Sequence, residues 1–214
     1  GIIHSDLFFQ SKFLLNDINI KIRLVRNKDS FCLMGAADAT FKIRIVDCKL
    51  HVWKVRLSPS VFVAHAKALE KGNAKYPIKR TICKTFTIPA GNLDASQESL
   101  FSGQLPTRIV IGCVQNRGFN GAYNLNPFNF EHFNLTQVKI YLDGQQHSIR
   151  PLETDFANHL YVTAYTSLFA GTGKLYKDEG NGLTREDFEG GYALYAFDLT
   201  PDLADGGHFN LLKQ

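Results

Sequence analysis

Ile18, Ile20, Ile22 and Leu24 alternate with Asn19, Lys21 and Arg23, a period-two rhythm that predicts a strand with one dry and one wet face. Phe41, Ile43 and Ile45 alternate with Lys42 and Arg44, and the phase slips at Val46 and again at Trp53, which predicts a bulged strand or a crossing between sheets. Ile78, Ile82, Phe86 and Ile88 oppose Lys79, Thr81, Cys83 and Thr85 until Pro89 and Gly91 end the run. Ile109 to Val114 is a continuous apolar run of the kind a strand covered on both faces requires. Val138, Ile140 and Leu142 lead into Asp143-Gly144, a two-residue hairpin signal, and Ala193, Tyr195, Phe197 and Leu199 mark a last strand before Pro201.

Two stretches have helical period instead. Ser58 is placed as an N-cap before Pro59, followed by Val61, Ala64, His65, Ala68 and Leu69 on one stripe and by Lys71 and Gly72 as a stop. Phe156 to Phe169 carries Leu160, Tyr161, Ala164, Tyr165 and Leu168 on one stripe, with Gly171 beyond it. Thr184 and Asp187 have the spacing of a capping box. The expected fold class is therefore mainly β: an antiparallel jelly-roll sandwich with a linker helix and one or two short helices.

With 44% apolar and 12% aromatic residues in 214, the chain has ample material for a core. No apolar run approaches the roughly 20 residues a bilayer span needs, and the first residues lack the layout of a signal peptide, so the expected partners include no membrane. Cys32, Cys48, Cys83 and Cys113 form no C-x-x-C pair and are expected as buried free thiols of a protein made inside a cell. Charge is asymmetric: residues 1 to 90 hold 16 Lys and Arg against 6 Asp and Glu, whereas residues 91 to 214 hold 8 against 14. Because the basic residues are strand-spaced, they read as solvated strand faces and guarded edges in preference to a sequence-specific nucleic-acid surface.

Chemistry is scarce in the pattern. Gly171-Thr172-Gly173-Lys174 lacks the earlier glycine and following hydroxyl of a phosphate loop and reads as a helix stop. The seven histidines show no metal-ligand spacing, no serine sits in a G-x-S-x-G elbow, and the carboxylates Asp178, Glu179, Glu186, Asp187 and Glu189 fit neither a calcium loop nor a glycosidase pair. These observations point away from an enzyme and imply no cofactor. The segment from Asn116 to Phe133 is different: Phe119, Tyr123, Phe128, Phe130 and Phe133 are interleaved with asparagines, too many large rings for a freely solvated loop. It must cover the end of its own domain or dock into a neighbouring subunit, and a carbohydrate-stacking platform is the alternative.

Several runs taken in order and spacing resemble one family: Ser58-Pro59-Ser60-Val61 through His65 to Gly72, Tyr76-Pro77-Ile78-Lys79-Arg80, Ile88-Pro89-Ala90-Gly91-Asn92, Asn126-Pro127-Phe128-Asn129-Phe130, Tyr141-Leu142-Asp143-Gly144-Gln145-Gln146 and Phe197-Asp198-Leu199-Thr200-Pro201-Asp202-Leu203. The chain resembles the hexon-like double jelly-roll major capsid protein of Maverick/Polinton elements and adintoviruses. That resemblance implies a virion protein, made inside a host cell, that forms homotrimeric pseudo-hexagonal capsomers and then a lattice, with a minor penton-type protein as a further partner. It also implies that residues 1–57 are the last strands of a first jelly roll, 58–75 a helical linker, and 76–214 a second jelly roll lacking its last strands, so that the chain resembles an internal fragment. The five rings of the aromatic loop are then candidates for a subunit interface. The rival expectation is a jelly-roll carbohydrate-binding module.

Overall fold

The computed structural model describes the chain except for Asp6, Asp17, Pro77, Lys79, Ser102 and residues 148–150 and 200–214. The chain divides into two units, one made of Gly1–Arg26 with Ile43–Phe86 and the other of Asn27–Lys42 with Thr87–Gln214.

Among its described residues the first unit carries one regular element, a helix over Pro59–Lys71, which is α2 in chain order after the short α1 (Asp29–Cys32) of the other unit. Ser58 and Gly72 bound α2 as the capping signals predict, but neither uses its expected device: Ser58 Oγ lies 3.1 Å from Ser60 Oγ instead of capping the backbone, and Gly72 has an extended φ of 178°. None of the helix is buried, so the predicted stripe of Val61 and Leu69 faces no core. Tyr76 ties the unit's two segments together, its hydroxyl accepting from Leu15 N at 3.1 Å and donating to Phe13 O at 3.2 Å.

The second unit holds the core. β1 (Arg108–Gly112) pairs antiparallel with β6 (Leu194–Asp198), placing Ile109 opposite Phe197 and Ile111 opposite Tyr195. α3 (Asn116–Phe119) follows β1. β2 (Gln137–Val138) pairs with β5 (Leu152–Glu153), and β3 (Tyr141–Leu142) with β4 (Gln145–Gln146). The β3–β4 turn is the predicted one: Asp143 and Gly144 both have positive φ, 49° and 78°, as a two-residue hairpin turn of this kind requires. α4 (Val162–Gly171) packs on β6, and α5 (Arg185–Gly191) begins with the predicted capping box, in which Thr184 and Asp187 exchange side-chain and backbone hydrogen bonds. Phe188, Tyr195 and Ala164 are fully buried, and Phe156, Tyr161, Ile109 and Phe197 close around them. The Phe188 ring meets Phe156, Tyr161, Tyr165 and Tyr195 at centroid distances of 5.9 to 6.4 Å.

The jelly-roll expectation is overturned. A jelly roll needs two facing sheets of eight strands in all; the described residues supply six strands of at most five residues, each in a two-stranded pair. The alternating stretches Ile18–Leu24, Phe41–Trp53 and Ile78–Ile88 form no strand among the described residues. Alternation states which face of a strand prefers to be dry; a ladder also needs a partner strand about 4.8 Å away, and among the described residues no strand pairing includes these stretches. α4 also differs from its prediction, starting six residues late. Asp155 and Leu160 close a tight loop by reciprocal hydrogen bonds of 3.0 and 2.7 Å, with Asn158 held by the Asp155 carboxylate and His159 left-handed at φ 57°, and this loop consumes the stretch before Val162. The four cysteines are free, but Cys32, Cys48 and Cys83 are exposed and Cys113 is half-buried, contrary to the buried thiols expected.

Candidate functional site

The aromatic loop is built on short-range turns. α3 ends at Phe119, and Gly121 at φ 93° approaches the first turn of α1 so closely that a Cβ there would stand 2.7 Å from Ser30 Oγ. That approach lays the loop against Asn27–Lys42. Gly35 N donates to Tyr123 O at 2.8 Å, Tyr123 donates its hydroxyl to Phe41 O at 2.6 Å, and the Tyr123 ring meets Phe41 edge-on. Phe128 meets Phe31 edge-on at 5.6 Å, yet 61% of it stays exposed. Phe130 extends the β6 ladder, its N–H donating to Gly191 O at 2.7 Å and its carbonyl accepting from Ala193 N, while its ring covers Gly112. Phe133 sits at a positive φ of 47°, in a turn where His132 Nδ1 accepts from Asn134 N.

The structure thus commits Tyr123 and Phe130 to packing within the second unit and leaves Phe119, Phe128 and Phe133 with large exposed areas. The loop covers part of its own chain and still presents rings outward.

A polar cluster beside the core was not legible in the sequence. Glu189 Oε2 accepts the Tyr161 hydroxyl at 2.7 Å and lies 3.3 Å from His159 Nδ1; Arg185 stands 5.0 Å over the Tyr161 ring and donates to His159 O at 2.8 Å. The Tyr161 hydrogen bond holds the Glu189 carboxyl below its ordinary range, with His159 and His132 adding to the effect, whereas burial and the same carboxylate push the Tyr161 phenol up. The tight Asp155–Leu160 loop and α5 bring these groups together across 28 residues. The only sequence signal was Glu189 in the carboxylate cluster after the capping box, a cluster the structure disperses: Asp187 caps α5, Glu179 pairs with Lys174, and Glu189 joins Tyr161. Among the described residues, no group of His, Cys, Asp and Glu is arranged to hold a metal ion, and no helix is long and apolar enough to cross a membrane.

Gly171-Thr172-Gly173-Lys174 lies at the C-terminal end of α4. Thr172 donates its hydroxyl back to Leu168 O at 2.7 Å and Gly173 takes φ 72°, the helix stop the sequence predicts.

The second unit is an assembly of helices on small antiparallel sheets. No family model matches the chain, and no solved structure matches it. The chain is similar to uncharacterized protein F54H12.2 of Caenorhabditis elegans, 29% identical over 226 residues that cover 99% of this chain and 52% of that protein. The chain therefore spans about half the length of the curated relative it matches.

Proposed function

We propose that this chain is a self-associating structural protein of capsid type, whose work is to bury apolar area between copies in trimers and larger assemblies. One observation carries the reading: no described residue of Gly1–Arg26 or Ile43–Phe86 is buried, although these segments are rich in Ile, Val, Leu and Phe. Ile18, Ile20, Ile45, Val46, Ile78, Ile82 and Phe86 are all exposed, and Trp53 is 94% exposed. Exposed apolar side chains in this number favour a contact face, because each exposed apolar Å² forgoes about 25 cal/mol that a partner surface would recover. The opposite charge balance of residues 1–90 and 91–214 favours contacts between the basic half of one copy and the acidic half of another. The outward rings of Phe119, Phe128 and Phe133 supply a further patch, and the ordered runs that resemble capsid proteins agree with the same role.

Sedimentation velocity and negative-stain electron microscopy of the full chain, over a concentration series, test the proposal. Trimers or larger closed particles are expected, persisting at high salt because the apolar contribution survives when the Debye length falls to about 3 Å at 1 M. Monomers at every concentration and ionic strength overturn it.

A further inference from the structure

The two strands of the β1–β6 sheet end at different kinds of edge. Leu199 N donates to Thr107 O at 2.9 Å, so Thr107 and Leu199 are a hydrogen-bonded pair. In an antiparallel ladder such pairs alternate, and the observed register makes Ile109–Phe197 and Ile111–Tyr195 the next ones. The backbone N–H and C=O groups of Arg108, Val110 and Gly112 therefore point away from β6, and among the described residues no backbone group accepts or donates to them. The β6 side is occupied: His147 Nε2 donates to Asp198 O at 2.9 Å, and α4 closes so tightly on Ala196 that a Cβ at Gly171 would stand 2.9 Å from the Ala196 carbonyl carbon. The β1 side carries no proline, lysine or bulge of the kind that keeps an edge from pairing, and Val110 at its centre is 51% exposed.

We propose that the outer edge of β1 is a site of strand pairing with β1 of a second copy, antiparallel and centred on Val110. This rests on the self-association reading and names one contact within it. The sequence Arg108-Ile109-Val110-Ile111-Gly112 is complementary to itself in that register. Val110 faces Val110 of the second copy, Ile109 faces Ile111, and Arg108 faces glycine, so no like charges stand opposite one another. A parallel, in-register pairing would instead set arginine beside arginine. In the antiparallel register every outward N–H and C=O of the three residues finds a partner, and a two-stranded sheet becomes a four-stranded one, past the size at which a sheet is stable in water. The two-fold symmetry closes the contact, so the edge is used up by one partner and does not template a fibre.

Amide-resolved hydrogen exchange of the full chain, run across the concentration range of the sedimentation series, separates this from other outcomes. The Ile109 and Ile111 amides, bonded to β6, are expected to be protected at all concentrations; the Val110 and Gly112 amides are expected to gain protection as concentration rises. Val110→Lys sets two lysines face to face and is expected to weaken this two-fold contact between copies about tenfold or more, which corresponds to about 1.4 kcal/mol, while Ile109 and Ile111 stay protected. Val110→Thr keeps strand propensity without the charge and is expected to pair nearly as wild type does. Oligomers that form with the Val110 and Gly112 amides unprotected overturn the edge contact and leave self-association standing. Protection of those amides that is independent of concentration assigns the edge to a segment of the same chain and also overturns it. Monomers throughout overturn both.

Discussion

The two units receive the same kind of apolar material and use it in opposite ways. In Asn27–Lys42 with Thr87–Gln214, aromatic rings are gathered from α4, α5, β6 and the Asp155–Leu160 loop around Phe188, whose side chain no solvent reaches. In Gly1–Arg26 with Ile43–Phe86, residues of equal hydrophobicity contact solvent, and the regular structure among the described residues is the helix α2. The difference is one of partners. A side chain is buried when two elements face each other, and among the described residues helix-on-sheet packing is found in the second unit alone.

That contrast can be broken at its strongest point first. Phe188→Ala removes the ring on which Phe156, Tyr161, Tyr165 and Tyr195 converge, and is expected to cost about 3 to 5 kcal/mol. Trp53→Ala, in the exposed unit, is expected to stay within about 0.5 kcal/mol for the isolated chain. Urea denaturation followed by far-ultraviolet circular dichroism at low protein concentration compares the two, and equal losses would erase the distinction.

A Cβ at Gly171 would stand 2.7 Å from Ala196 Cβ and 2.9 Å from its carbonyl carbon, so Gly171→Ala must push α4 off β6 and is expected to cost about 1 to 3 kcal/mol. Its test is the urea midpoint, with Gly72→Ala as a control, since a Cβ at Gly72 meets nothing within 4 Å.

Tyr195 sharpens the same picture from the polar side. Its hydroxyl is buried with the Thr154 side chain beside it, but Thr154 spends its own hydroxyl on Leu135 O and no well-formed hydrogen bond to Tyr195 exists among the described residues; burial pushes the phenol up to about 12. Tyr195→Phe deletes an unsatisfied group and keeps the ring, and is expected to raise stability by about 1 kcal/mol in thermal denaturation.

Acid supplies the smallest and most diffuse effect. Hydrogen bonds from Asn158, Thr184 and Tyr161 hold the carboxyls of Asp155, Asp187 and Glu189 below their ordinary range. Their contribution is therefore present above the ordinary carboxylate values and is lost as pH falls through the depressed folded values, from about pH 4 downward. Midpoints measured from pH 6 to pH 2 are expected to fall in that window, and Glu189→Gln is expected to flatten part of the slope.

Local signals in the sequence located several elements whose defining interactions are themselves local, although Ser58 and Gly72 bound α2 without their expected capping devices and α4 begins six residues late. Thr184 and Asp187 cap α5, Asp143-Gly144 turns the β3–β4 hairpin, and the runs at Ile109–Val114 and Ala193–Leu199 coincide with β1 and β6, although β1 is exposed at Val110 and not covered on both faces as its apolar run predicts. The aromatic loop was legible as a segment that had to pack, but not that Tyr123 would reach Phe41, 82 residues away in sequence. The Tyr161–Glu189–His159 cluster was hidden for the same reason, since no spacing rule connects residues brought together by a loop and a helix from different parts of the chain. The alternation in Ile18–Leu24, Phe41–Trp53 and Ile78–Ile88 misled in the fold class because period two specifies faces and says nothing about whether a neighbouring strand is supplied.

What the sequence determined by itself are caps, turns and the apolar character of each stretch, because these depend on backbone conformations and hydrogen bonds spanning a few residues. Which stretches become core, which strand edge stays open and which ionisable groups meet were decided only by the tertiary structure. Burial and pairing are properties of two surfaces at once, and a linear pattern describes one surface at a time.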